Sequence, residues 1–178
     1  MKIESKNTET AQKQWMVIKT NPRAEKKVNE RLETAGFTTF LPLETVMKVW
    51  SDRKKKIEQP LIASTLFVET TPKLINDVYG VSGVRSVLKF LGKPAVVQAY
   101  EIENLRILLN QSKNNKLEPV QHYKKGELVK VVRGPFKGLT ANVLESHANF
   151  RLVVEIESVS SGFEVDVPKS CVEKWIRI

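Results

Sequence analysis

One cysteine, Cys171, stands among 178 residues. An intramolecular disulfide is therefore excluded, and a lone thiol fits the reducing cytoplasm. Histidine is almost as scarce: His122 and His147 are the only two. No His/Cys spacing matches a metal site, and no HExxH, P-loop or GxSxG pattern occurs. His147 beside Asn149 is a turn composition rather than a catalytic pair. Cys171 reads as a packing residue rather than a nucleophile. The sequence thus predicts no enzymatic activity, no metal and no cofactor. It also contains no run of 18 apolar residues, so no membrane span is expected. Residues 1–13 are polar, lack the apolar core of a signal peptide, and read as a disordered N-terminal tail.

Positive charge is what the chain has in excess. Lys and Arg number 29 against 20 Asp and Glu, a net +9. That balance favours polyanionic partners, nucleic acid first. It is concentrated in residues 1–110, where 18 basic side chains face 12 acidic ones, +6. Two clusters dominate: Lys19, Arg23, Lys26, Lys27 and Arg31, then Lys48, Arg53, Lys54, Lys55 and Lys56. Each is open to two readings, a solvated surface or a set of phosphate contacts. The hydrophobic fraction of 41% supports a packed core.

Taken in order, Trp15-Met-Val-Ile reads as a buried strand. Asn21-Pro22 predicts a helix start with a capping side chain and Pro at the first helical position. Ala24, Val28, Leu32 and Ala35 form the core stripe of that helix, which places Arg23, Lys27 and Arg31 in one row beside it. Gly36 is its C-terminal stop. Residues 37–50 read as extended chain, a basic loop follows, and residues 57–68 are extended again. Thr71-Pro72 opens a second helix with Leu74, Ile75, Val78 and Tyr79 on one face. Val84, Ser86, Leu88 and Phe90 alternate as a strand, and Gly92-Lys-Pro is a turn. Ala99, Ile102, Leu105 and Leu109 mark a third helix. This order predicts an α+β, ferredoxin-like domain over residues 14–110, an antiparallel sheet with one face partly open. Residues 111–123 are polar and aperiodic and read as a linker.

Residues 124–178 carry only strand signals. Val129 and Val131, Ala141 and Val143, Leu152, Val154 and Ile156, and Phe163, Val165 and Val167 each alternate with polar residues. Such short strands with glycine turns predict a small SH3-like β-barrel, with Trp175 closing one end. Its most informative stretch is Gly-Glu-Leu-Val-Lys-Val-Val-Arg-Gly-Pro-Phe-Lys-Gly at 126–138. A strand runs there into a tight turn whose tip offers Arg133, Gly134, Pro135, Phe136 and Lys137. Either the aromatic folds back onto the core, or the turn presents a cation–aromatic–cation triplet.

A Trp-x-Val strand, a ferredoxin-like domain, a polar linker and a Gly-x-x-Val-x-Val-x-x-Gly-Pro-Phe-x-Gly turn together resemble the NusG family of transcription elongation factors. The 126–138 stretch resembles its KOW motif. Gln59-Pro-Leu-Ile-Ala-Ser-Thr-Leu-Phe-Val is similar to the family's Pro-Leu-Phe-Pro-Gly-Tyr-Leu-Phe-Val strand, with Ala63, Ser64 and Thr65 in place of Pro, Gly and Tyr. Met16 stands where an aromatic often follows the Trp. These departures, the Arg-Lys-Lys-Lys stretch and Val-Pro-Lys-Ser before Cys171 look more like a specialised paralogue, similar to antiterminators of capsule operons in Bacteroidetes.

The resemblance implies a binding protein, a cytoplasmic monomer that attaches to RNA polymerase and suppresses pausing or termination. Carried over by position, the polymerase contact falls on Trp15, Met16, Leu61, Ile62, Leu66 and Phe67, with a second near Asn76 and Asp77. Strand alternation allows at most half of the first group to face outward. Lys19, Arg23, Lys27 and Arg31, with Arg53, Lys54, Lys55 and Lys56, are the nucleic-acid candidates, the displaced non-template DNA strand being the implied ligand. The KOW turn, at Arg133, Gly134, Pro135, Phe136 and Lys137, would meet a small-subunit ribosomal protein, the termination factor Rho, or RNA. The alternative is an RNA-binding or ribosome-associated KOW protein.

Overall fold

In this computed structural model, residues 12–50, 53–111, 119–120, 126–146 and 149–175 are described. The first part runs β1 (Gln14–Thr20), α1 (Glu25–Thr34), β2 (Thr38–Phe40), β3 (Leu43–Val49), β4 (Lys54–Pro60), β5 (Thr65–Thr70), α2 (Ile75–Tyr79), β6 (Val84–Val87), β7 (Lys89–Phe90), β8 (Lys93–Pro94), β9 (Val96–Val97) and α3 (Ala99–Gln111). The second runs β10 (Pro119–Val120), β11 (Leu128–Val131), β12 (Thr140–Ser146), β13 (Asn149–Ile156), β14 (Ser161–Pro168) and β15 (Val172–Lys174).

Strand β1 is central because its apolar residues suit burial on both faces. The sheet order is β2-β5-β1-β6, all antiparallel, with β9 also paired to β1. This is the ferredoxin-like order the sequence predicts. Met16 and Ile18 point to one face, where Val28 and Leu32 of α1 and Ile75 and Val78 of α2 close a core with Leu66 and Val68. The opposite face is not open, as the sequence reading had it. Val17 and Phe67 are fully buried there, in a cluster with Ile102, Leu105 and Leu108 of α3. Helix α3 has a second apolar side, and that side meets the barrel.

Several local expectations shift for identifiable reasons. Helix α1 begins at Glu25, not at Pro22, and no side chain caps it. The Asn21 carbonyl accepts from the Ala24 amide, and Arg23 takes a left-handed φ of 62° in this turn. The Glu25 carboxylate accepts from the Ser64 amide at 2.8 Å, which fixes the first helical turn against β5. The C-terminus follows prediction: Gly36 and Phe37 donate to Glu33 and Leu32 carbonyls, a Schellman motif. Helix α2 is delayed to Ile75 by the turn in which the Leu74 amide donates to Thr71, and Leu74 and Tyr79 are exposed. The strand expected over 84–90 breaks after Val87, because Leu88 donates to Val17 and accepts from Ala95. The turn lies at Leu91-Gly92, both at positive φ as a type I′ hairpin requires, rather than at Gly92-Lys-Pro. Arg53-Lys-Lys-Lys is not a loop. Lys54 to Lys56 belong to β4, which pairs with β3 in a hairpin separate from the main sheet.

The second part is a six-stranded antiparallel sheet, β10-β14-β13-β12-β11-β15. Val129, Val131, Ala141, Leu152, Val154, Ile156, Phe163, Val165 and Val167 are all buried, as alternation predicts. Val143 is only partly buried. Strand β10 adds Pro119–Val120, from the segment read as linker, to the edge of β14. Trp175 does not cap the barrel end; its ring meets Tyr100 of α3 edge-on at 5.7 Å.

Candidate polymerase and nucleic-acid surfaces

The eight residues expected to touch a polymerase separate by burial. Met16 and Leu66 lie in the α1/α2 core at 1% and 0% exposure, and Phe67 is equally buried on the α3 side. None of these three offers a surface, a correction that follows from β1 and β5 being covered on both faces. Trp15, Leu61 and Ile62 are half-buried at the margin of the α3-side cluster. Asn76 and Asp77 are exposed on α2.

Phe40 joins that margin unannounced by the sequence reading. It sits opposite Phe67 in the β2–β5 register, stacks on it at 6.1 Å, and carries Arg106 of α3 over its ring at 5.3 Å. A guanidinium over an aromatic face is a favourable cation–π contact. Its available signal was the alternation of Phe40 with Thr39, read only as extended chain.

The first basic cluster is not one row. Lys19 shares the sheet face of Trp15 and Val17, whereas α1 packs on the face of Met16 and Ile18. Lys19 is half-buried and donates to Thr65 Oγ1 at 2.8 Å, and burial holds its ammonium pKa below the ordinary lysine value. Arg23 sits in the turn before α1. Only Lys27 and Arg31 share a helical row, and Arg31 donates to the Ser82 carbonyl at 2.6 Å. The structure does not bring Lys19, Arg23, Lys27 and Arg31 together.

The second basic cluster is drawn together instead. The register pairs Met47 with Lys56, Lys48 with Lys55, and Val49 with Lys54. Lys48, Lys54, Lys55 and Lys56 are exposed, as is Arg53. Met47, Val49 and Trp50 beside them are 53%, 73% and 60% exposed. The base of this hairpin is anchored to α1 by the Glu58–Lys26 pair at 3.2 Å, and its two strands are joined there by Gln59 donating to Glu44 at 2.8 Å. Trp50 directly before a basic run was the missed signal.

The KOW turn is well fixed. Lys137 donates to Gly134, Gly138 to Val131, and Leu139 to Phe136. Phe136 is partly buried against the cluster shared with α3, so of the two readings the folded-back aromatic holds. Arg133 and Lys137 remain exposed on either side. Gly138 has φ 97°, and a Cβ there would lie 3.3 Å from Ile107 Cδ1 of α3. Turn and helix are therefore in contact.

Sequence reasoning also missed the seam between α3 and the barrel. Asn104, 2% exposed, donates from Nδ2 to the Thr140 carbonyl at 2.8 Å and accepts from the Thr140 amide at 3.0 Å. One side-chain amide thus satisfies both backbone groups of a barrel residue. Buried Glu101 accepts from the Gln98 amide at its own helix start and from the Glu157 amide of the barrel, at 2.8 and 2.9 Å. The signal lay in polar residues interrupting the apolar stripe of α3.

Among the described residues no group of three or more His, Cys, Asp or Glu could hold a metal, and no helix is long and apolar enough to cross a membrane. Residues 13–106 match the family model described as "Transcription termination factor nusG". The chain is similar to "Transcription termination/antitermination protein NusG" of Rickettsia felis, 28% identical over 178 residues, spanning 91% of this chain and 90% of that one. The protein of the same description from Rickettsia conorii is 30% identical over 148 residues, 75% of this chain and 74% of its own. Among solved structures, "Domain interaction in Thermotoga maritima NusG" matches with a TM-score of 0.50 and 23% identity, covering 91% of this chain and 97% of that one.

Proposed function

Because the chain belongs to the NusG family of transcription termination/antitermination factors, we propose that it binds RNA polymerase through its N-terminal domain and suppresses pausing or termination, while the KOW barrel recruits a second factor. The observation that carries this reading is the apolar margin of Trp15, Phe40, Leu61 and Ile62, left half-buried around an otherwise closed core. Side chains held in place by a packed core yet still reachable suit a docking surface. Asn76 and Asp77, exposed on α2, supply the second polymerase contact. Contacts made only in the forward-moving state of the enzyme shift its population toward that state.

The KOW partner is a small-subunit ribosomal protein, Rho or RNA, met at Arg133 and Lys137. Lys27 and Arg23 are nucleic-acid contacts with the displaced non-template strand as ligand, and the β3–β4 lysines are a second, separate set of nucleic-acid contacts. The protein works as a cytoplasmic monomer.

The test is retention of RNA polymerase on the immobilised full chain at low salt. The wild type is expected to retain it, and a Leu61→Ser, Ile62→Ser variant to lose most of it. A wild-type chain that retains no polymerase, or a double variant that retains it fully, overturns the reading.

A further inference from the structure

The β3–β4 hairpin leaves the body of the protein as an arm. Its base is tied to α1 by the Lys26–Glu58 pair, but residues 47–50 and 53–56 are exposed throughout. Lysines often guard an exposed strand edge against unwanted pairing. That accounts for the cations but not for Met47, Val49 and Trp50, three large apolar side chains all more than half exposed. Such residues cost solubility unless something covers them.

The register shows how charge and apolar surface are arranged. Side chains alternate across a strand, and directly paired residues share a face. Met47, Val49, Lys54 and Lys56 therefore occupy one face, and Lys48 and Lys55 the other. Both faces of a thin ribbon are cationic. Among the described residues none of these four lysines takes part in an ion pair, whereas Glu58 at the base is already taken by Lys26. A protein partner or a single strand would lie against one face. A ligand with a wall of negative charge on each side is the better complement, and that is a double-helix groove between its two phosphate ridges.

Dimensions agree. The two strands are about 4.8 Å apart, and the major groove of B-DNA, about 12 Å wide, admits a two-stranded ribbon. The deep, narrow major groove of duplex RNA does not. Trp50, beyond the last pair at the ribbon's outer end, would meet base edges and thymine methyl groups, the contacts such a groove offers, while Met47 and Val49 lie beside Lys56 and Lys54 along one wall.

We propose that the β3–β4 hairpin is a DNA-binding arm that inserts end-on into the major groove of duplex DNA, with Lys48, Lys54, Lys55 and Lys56 on the phosphates and Trp50 at its end against the base edges. This deepens the nucleic-acid part of the proposed function by giving the β3–β4 lysines a duplex as ligand. It does not depend on polymerase binding.

The experiment is fluorescence anisotropy of the full chain with a short B-form duplex over a range of salt concentrations, beside single-stranded DNA and duplex RNA of the same length. Duplex DNA is expected to bind tightest. A Lys54→Gln, Lys55→Gln, Lys56→Gln variant should lose on the order of a hundredfold in affinity at about 0.1 M salt, and the slope of log K against log salt should fall by about 2.7. Trp50→Ala should shift the whole line to weaker binding with the slope unchanged, since it removes no charge. Thermal melting of both variants checks that exposed substitutions leave the fold intact. Equal or tighter binding of single-stranded DNA or duplex RNA overturns the proposal. So does an unchanged slope in the triple variant, or an equal slope loss from a charge-matched Lys73→Gln, Lys89→Gln, Lys93→Gln variant, whose lysines are exposed outside the arm. Polymerase retention by the triple variant is read separately. If retention is lost while duplex binding is intact, the arm contacts protein and the proposal fails. If duplex binding is lost while retention is intact, the arm proposal stands whatever becomes of the polymerase surface.

Discussion

Asn104 and Lys54 are both polar residues set beside apolar neighbours, and the molecule treats them in opposite ways. Asn104 is sealed between α3 and the barrel with its amide committed to both backbone groups of Thr140. Lys54 stands on the arm opposite Val49, with Met47 on the same face and Trp50 beyond it, all exposed. At the seam, polar groups are satisfied inside the chain and apolar ones lie in the cluster that joins the sheet, α3 and the barrel. On the arm neither has happened. Buried polar groups must find partners within the fold, whereas exposed apolar ones point outside it. The contrast separates what holds this protein together from what it offers to others.

The contrast can be broken at its strongest point first. Leu105 is fully buried between the sheet and the barrel. Leu105→Ala should cost roughly 2–5 kcal/mol in urea denaturation. A loss below about 1 kcal/mol would mean that the seam carries little of the stability. Next, Asn104→Ala strands the buried amide and carbonyl of Thr140 and should cost about 1–3 kcal/mol. It should also speed hydrogen exchange at the Thr140 amide, which a mere cavity elsewhere would not do. Smaller again is Gly138→Ala, which forces a side chain to φ 97° and against Ile107. About 1–2 kcal/mol is expected, with the KOW turn displaced from α3 and the Trp175–Tyr100 contact loosened, readable in tryptophan fluorescence. At the other pole, the Lys54, Lys55, Lys56→Gln variant should leave stability within about 0.5 kcal/mol, because nothing in the fold depends on it. A large destabilisation would move the arm to the structural side.

The smallest effect is a pH dependence. Burial pushes the Lys19 ammonium below the ordinary lysine value of 10.5. Between that lowered value and 10.5 the unfolded chain holds the proton more tightly, so this group makes stability rise with pH across the window. Comparing the alkaline stability profile of the wild type with that of Lys19→Met isolates the term, and the variant should show the weaker rise.

What the sequence made legible follows from periodicity. Central strand β1, the Val28 and Leu32 stripe of α1, the alternation of the barrel strands and the Gly36 stop are local patterns, and each stands where the residues put it. The misses come from pairing at a distance. Arg23 left its row because Glu25 is fixed by the Ser64 amide, 39 positions away. Arg53-Lys-Lys-Lys became a strand because the segment ending at Val49 was free to pair with it, a fact no window around residue 54 contains. The second sheet face was filled by α3, whose two apolar sides read from sequence as one broad stripe. For the proposed polymerase surface, the alternation argument limited the outward-facing residues to half. It could not foresee that β1 and β5 are both covered twice, which leaves Trp15, Leu61 and Ile62.

Strand β10 has a kinetic side. Gln111 ends α3 and Pro119 begins β10, so seven residues separate the helix from the first strand of the barrel. A tether that short sets a local concentration on the order of millimolar. Contacts across α3 that would hold two separate molecules with a dissociation constant of only about 10 μM would then keep the barrel seated about 99% of the time. A ligand for the α3-facing side of the barrel competes against that local concentration, not against the strength of the contacts alone. The length of the connection, as much as Asn104 or Leu105, then determines how often that side is open.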